Sequence, residues 1–195
     1  ITELSLPSTL SSIGVDAFKG LSTLTTVKYE GTINPCEINS QTHKAFESTG
    51  ATTVDVDISY GPIDFCGLQP ITEKSCASND DLEVCKYKYI HNKYSLTITG
   101  TGEMKDYSLS IPSPWSVKKT TMTTVSITGI TKIGNYAFYN CSAFPPITFD
   151  SNLNTIGEYA FTDADKFTTV TLPETIKTIG ESTFSNINEL NSVKY

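Results

Sequence analysis

The sequence predicts a mainly β solenoid of ~23-residue rungs with a β-hairpin insert. Three observations lead there. The pattern Ile-Gly-x-x-(Ala/Thr)-Phe occurs four times. A short alternating apolar run precedes each copy. Thr, a β-branched residue suited to the exposed face of a sheet, supplies 29 of the 195 residues, which argues against long helices.

The copies begin at Ile13, Ile133, Ile156 and Ile179 and end in Phe18, Phe138, Phe161 and Phe184. The last three are spaced 23 residues apart. The runs before them are Leu4-x-Leu6, Val125-x-Ile127, Ile147-x-Phe149 and Val170-x-Leu172. Val27-x-Tyr29 and Val193-x-Tyr195 follow the first and last copies, so the strand starts recur with a step of 22 or 23. A period of about 20–29 residues with one strand per unit is the signature of a leucine-rich-repeat solenoid. In such a rung the alternate strand residues point inward. Pro7 and Pro173, lacking an N–H, stop their strands. Ile-Gly turns the chain, the Gly suiting a tight corner or a left-handed backbone. The Phe then plugs the interior, so Phe18, Phe138, Phe161 and Phe184 are the expected structural core.

Three segments follow along the chain. Residues 1–59 hold a regular rung and a divergent one, whose strand is Val54-x-Val56-x-Ile58. Residues 60–115 break the period as an irregular, disulfide-stabilised insert. Its clearest element is a hairpin pairing Val84–Ile90 with Tyr94–Gly100 across His91-Asn92-Lys93. Residues 116–195 return to regular rungs. Residues 1–29 also align without gaps on 167–195 with 11 identities, which suggests a super-repeat of 166 residues.

Charge excludes one function class. The chain has 14 Lys, no Arg and 21 acidic residues, for a net charge of −7. That is the wrong sign for nucleic-acid binding, and the usual base and phosphate fork is missing. The apolar runs are too short to span a membrane.

Four of the five cysteines, Cys36, Cys66, Cys76 and Cys85, fall where the period fails, the place for disulfide staples in an oxidising compartment. The favoured pairing is Cys36–Cys66 with Cys76–Cys85; sequence alone does not choose among the three pairings. Cys141 occupies a rung slot held elsewhere by Leu21, Ala164 and Ile187, which predicts a buried free thiol. There is no Cys-x-x-Cys, and His43 and His91 lie far apart, so no metal site is expected.

The units at 6–18 and 172–184, Leu-Pro-x-x-(Leu/Ile)-x-x-Ile-Gly-x-x-(Ala/Thr)-Phe, resemble the BspA-type (treponemal-type) leucine-rich repeat. Leu96 to Met104, Asp106-Tyr107, Pro114-Trp115 and Ile130 to Gly134 are similar to the segment preceding a repeat block in such surface proteins. Tyr29 to Cys36 and Phe65-Cys66-Gly67 resemble versions found in anaerobic protists. The resemblance implies a bacterial or protist surface location, adhesion or matrix binding, and neither enzyme chemistry nor a cofactor.

Several constellations invite a chemical reading and do not sustain it. Asp163-x-Asp165 with Glu174 has calcium-loop spacing, but Phe167 and Thr168 stand where such a loop needs a ligand and a Gly. Asp55-x-Asp57 reads as an acidic strand edge that discourages sheet pairing. Gly-x-Ser-x-Gly is absent, and Gly100-Thr-Gly102 is too short to cradle phosphate. Asn140-Cys141-Ser142 fits the N-glycosylation pattern. The outward strand positions form a ladder of hydroxyls, among them Thr124, Ser126, Thr169 and Thr171. Aromatic contact surface is expected near the insert, from among Tyr87, Tyr89, Tyr94, Tyr107 and Trp115, half of which are expected to pack the hairpin onto the solenoid. The expected function is therefore a non-catalytic extracellular or cell-surface array, structural or adhesive. Neither terminal rung shows a polar cap, so it would bind other proteins or its own copies end to end. The alternative is a secreted recognition module for a glycan or host receptor.

Overall fold

The computed structural model describes residues 1–36 and 44–195, and its elements are short strands and turns with two brief 3-10 segments. The chain divides into two compact units, residues 1–73 with 89–93, and residues 74–88 with 94–195.

In the first unit, β1 (Glu3–Leu6), β2 (Thr26–Tyr29), β3 (Thr53–Val56) and β4 (Gln69–Ser75) pair in parallel. Leu4, Val27, Val54 and Pro70 stand side by side in register. Alternation does the sorting: Val27, Tyr29, Val54 and Val56 are buried while Thr26 and Lys28 face solvent. The parallel ladder continues through β4 into the segment where the sequence period is lost.

The second unit contains β5 (Lys86–Ile90, whose last two residues belong to the first unit), β6 (Ser95–Thr99) and β7 (Thr124–Thr128). Then come β8 (Lys132–Ile133), β9 (Thr155–Ile156), β10 (Thr169–Thr171), β11 (Thr178–Ile179) and β12 (Ser192–Lys194). β6 is hydrogen-bonded to β5 and, in parallel, to β7; β10 pairs with β12 in parallel. The hairpin expected around His91-Asn92-Lys93 is present, its link a single 3-10 turn over those residues. β8, β9 and β11 form a separate parallel ladder.

That second ladder revises the reading of Ile-Gly. Ile133, Ile156 and Ile179 end two-residue strands instead of opening a corner. The following glycines do not have positive φ; the left-handed residues lie two positions on, at Asp16, Tyr136, Tyr159 and Ser182. The glycines are needed for close approach. A Cβ on Gly134 would collide with the Lys105 carbonyl, and one on Gly157 would lie 2.5 Å from the Asn135 nitrogen. A second left-handed position recurs at Gly20, Asn140, Asp163 and Asn186, where Gly, Asn and Asp are the residues that tolerate it.

The aromatic plugs stack. In the second unit Trp115, Phe138, Phe161 and Phe184 form a column with ring centroids 5.5, 5.3 and 5.5 Å apart. The Trp115 indole N–H donates to the Ala137 carbonyl at 2.8 Å. In the first unit Phe18 stacks on Phe46 at 5.0 Å, and Phe46 packs on Phe65. Phe138 and Phe161 are fully buried, whereas Phe18 and Phe184 are only half-buried, short of the core burial expected of them. Phe161 is sandwiched between two rings, while Phe18 and Phe184 each stack on a single described ring.

Two further differences have local causes. Ile147-x-Phe149 forms no strand; Pro145-Pro146 directly before it removes two successive ladder donors on its N-terminal side. The divergent rung keeps its plug without Ile-Gly: the Phe18 N–H donates to the Ala45 carbonyl, as the Phe138 N–H does to Ala160 and the Phe161 N–H to Thr183. Ala45-Phe46 is therefore the (Ala/Thr)-Phe of that rung.

Candidate functional site

The outward sheet face is ordered by strand register. In the second unit Ser95, Thr97 and Thr99 lie beside Thr124, Ser126 and Thr128, above buried Leu96, Ile98, Val125 and Ile127. All six outward side chains are uncharged hydroxyls. Farther along, the Thr169 and Ser192 hydroxyls are 3.2 Å apart. The first unit's outward face is charged instead, with Lys28 Nζ 2.7 Å from Glu3 Oε1 across the ladder. Both partners are about half-exposed, so this pair adds little stability.

The aromatic contact region expected near the insert is mostly core. Tyr87, Tyr89, Tyr107 and Trp115 are buried, and only Tyr94, 40% exposed, remains at the surface. Alternation along β5 turns Tyr87 and Tyr89 inward, and Tyr87 and Tyr107 meet Trp115 edge-on at 5.3 and 5.6 Å. Partly exposed rings occur instead on the rung corners. Tyr136 stacks on Tyr159 at 4.9 Å and tilts against Tyr139 at 5.6 Å. The Tyr159 hydroxyl donates to Glu181 Oε1 at 3.2 Å, and that carboxylate's charge raises the Tyr159 pKa. The signal available in the sequence was Tyr in the second x of Ile-Gly-x-x-Ala-Phe, in two successive rungs.

Beside these rings is a cavity of about 300 Å³, lined by Ser113, Ser116, Lys119, Tyr136, Tyr139 and Asn140, with Leu109 and Val117 on its apolar side. The 3-10 turn Pro114–Lys118 carries one wall and a rung corner the other. Asn140 of the glycosylation pattern is exposed and left-handed.

The structure joins Cys36 to Cys66 and Cys76 to Cys85, with Cα separations of 5.4 and 5.0 Å. Cys141 is free and buried, and burial pushes its thiol up to about 12. His91 is not at an exposed tip but in the first unit's core. Its Nδ1 is 3.0 Å from the Tyr60 carbonyl, which can only accept, so this nitrogen donates. Its Nε2 lies 3.0 Å from Thr72 Oγ1, and the Tyr60 and Tyr89 rings meet it edge-on. His43 lies outside the described residues. Among the described residues no three His, Cys, Asp or Glu side chains group as metal ligands, Asp163, Asp165 and Glu174 included. Asp57 lies past the end of β3 and accepts from the Ser59 N–H in a turn, so it shares no strand face with Asp55. No helix among the described residues is long and apolar enough to cross a membrane.

The model of the BspA type leucine rich repeat region matches residues 1–79 and 115–195 in six copies. No curated protein sequence matches the chain. Two solved structures are similar to it. One is a leucine-rich repeat protein from Eubacterium ventriosum, 22% identical over 64% of this chain and 40% of its own, with a TM-score of 0.47. The other is the pneumococcal vaccine antigen PcpA, 17% identical over 99% of this chain and 50% of its own, with a TM-score of 0.39. The chain thus spans half or less of these relatives. With six copies of one repeat model across most of its length, on parallel ladders with a plug at each rung, the chain belongs to the BspA-type leucine-rich-repeat family.

Proposed function

We propose that this chain is a non-catalytic, extracellular or cell-surface repeat scaffold that binds other proteins. The observation that carries the reading is the register of its strands. Side chains that point outward fall into rows in register, as at Ser95–Thr124 and Thr97–Ser126. Such a face offers extended contact area without any catalytic cluster. The two disulfides support an oxidising location. The division into rungs at 1–59, an insert at 60–115 and rungs at 116–195 belongs to this reading. The test is capture of matrix and surface proteins by the oxidised chain. Retention that is lost when Thr97 and Ser126 are changed to Lys supports the reading, and retention indifferent to that face contradicts it.

End-to-end assembly into arrays or filaments is a second part of the proposal. It is supported by the pairing of Glu3 with Thr26 and of Thr169 with Ser192, the same pairing 166 residues apart. Light scattering and negative-stain microscopy check it. Concentration-dependent rods are expected, and a monodisperse monomer at high concentration contradicts assembly.

A further inference from the structure

We propose that the cavity beside Tyr136 and Tyr139 binds an N-acylated, carboxylated sugar at the end of a glycan, the sialic-acid class of residue. The inference goes beyond the protein-binding reading and does not depend on it.

Size is the first ground. About 300 Å³ is the lower end of small-ligand pockets and suits one sugar unit. The second ground is the polar lining. Ser113 lines the cavity, and its side chain makes no cap hydrogen bond to its own 3-10 turn. Its hydroxyl is not among the buried side-chain atoms left without a partner, so it stands at the cavity surface, where it can donate to or accept from a ligand. Ser116 and Asn140, on the same walls, add a hydroxyl and an amide without a side-chain partner among the described residues.

Aromatic placement is the third ground. Tyr136 and Tyr159 have φ of 52° and 54°, whereas Asp16 and Ser182 hold the same position in other rungs. The rung corner holds this conformation whichever residue stands there, so the signal at the cavity is that an aromatic ring was placed on it. The stacked neighbours fix the ring while leaving part of it exposed. Its electron-rich face suits the C–H side of a sugar ring.

Charge and apolar surface then narrow the ligand. Lys119 is half-buried at the cavity and makes no ion pair among the described residues of a chain with net charge −7. It can take up a carboxylate in a charge-assisted hydrogen bond. Leu109 and Val117, 69% and 60% exposed, offer the apolar surface that an acyl methyl group needs. A neutral sugar would leave the ammonium unused, and a plain uronic acid would leave the apolar side empty.

The test is titration of the oxidised chain with N-acetylneuraminic acid, followed by ligand-observed NMR and calorimetry. N-acetylglucosamine and glucuronic acid serve as the neutral and the unacylated probes. Saturable binding of the first, at least about tenfold tighter than either of the others, is expected. Lys119→Ala and Tyr136→Ser should each weaken it about tenfold or more, with melting temperatures unchanged. Ser is a residue that another rung already carries at the Tyr136 position, so that variant keeps the fold. Lys194→Ala should bind as the parent does. No saturable binding by the parent, equal affinity for the three probes, or full affinity in both pocket variants would overturn the proposal. So would a Tyr136-dependent capture of a deglycosylated protein with no response to any sugar.

Discussion

Phe161 is the clearest single-residue probe of the packing. It is fully buried and lies between Phe138 and Phe184, with Phe144 and Phe167 at its edges. Phe161→Ala should lower unfolding free energy by about 3–5 kcal/mol in denaturant titration. Phe18→Ala should lower it by less, because that ring is half-buried and stacks on a single described neighbour. Glu47 is an electrostatic probe. Hydrogen bonds and charge from Lys19 and then Lys44 hold its pKa down to about 2, below the usual carboxylate value of about 4.3. A depressed folded pKa stabilises above the unfolded value and is lost as pH falls through the folded one. The difference in melting temperature between the parent and Glu47→Gln should therefore hold at neutral pH and shrink between about pH 4.3 and pH 2. A gap that widens on acidification would contradict this sign. The Cys141 thiol, buried and pushed up to about 12, should resist thiol reagents in the native chain and react once on unfolding.

At the scale of elements, the glycines after Ile133, Ile156 and Ile179 are spacing devices and the one after Ile13 is not, so the cost of replacement should follow the neighbour each faces. Gly157→Ala would set a Cβ 2.5 Å from the Asn135 nitrogen and 2.8 Å from the Gly134 carbonyl carbon. It should destabilise by about 1–3 kcal/mol and disturb the pairing of β9 with β8 and β11. Gly14→Ala meets nothing within 4 Å and should change stability by no more than about 0.5 kcal/mol. Thermal melts of the two variants measure the contrast. The strands β1, β2 and β7 were legible in the sequence, because period-two alternation at Leu4-Leu6, Val27-Tyr29 and Val125-Ile127 maps onto burial, whereas the two-residue strands β8, β9 and β11 are too short to alternate and were read as corners. The plug of the divergent rung was not. Ala45-Phe46 lacks the Ile-Gly before it, and only the backbone hydrogen bond from Phe18 places it in the series. Ile147-x-Phe149 shows the opposite failure, an alternating pattern that forms no strand and that directly follows two prolines without N–H groups.

For the whole molecule, the repeat carries the family and the fold, while the candidate site lies where the repeat tolerates variation. A left-handed corner accepts Asp16, Tyr136, Tyr159 or Ser182, so the pattern says nothing about which rung presents an aromatic ring. The period breaks around Tyr87, Tyr107 and Trp115, so the sequence did not say which of the insert's rings would pack as core; a strand sorts Tyr87 inward and the indole of Trp115 continues the Phe column. His91 was unreadable for a related reason, since its partners Tyr60 and Thr72 come from distant segments. Residues one rung apart sit side by side in parallel register throughout the ladders, and cross-linking tests this most directly. Thr169→Cys with Ser192→Cys places two sulfurs where hydroxyls now lie 3.2 Å apart. At low protein concentration under mild oxidation, peptide mapping should find an intramolecular disulfide between these two introduced cysteines. It should form faster than in a Thr171→Cys, Ser192→Cys control that is out of register. Failure of the in-register pair to close, or closure no faster than in the control, would contradict the account.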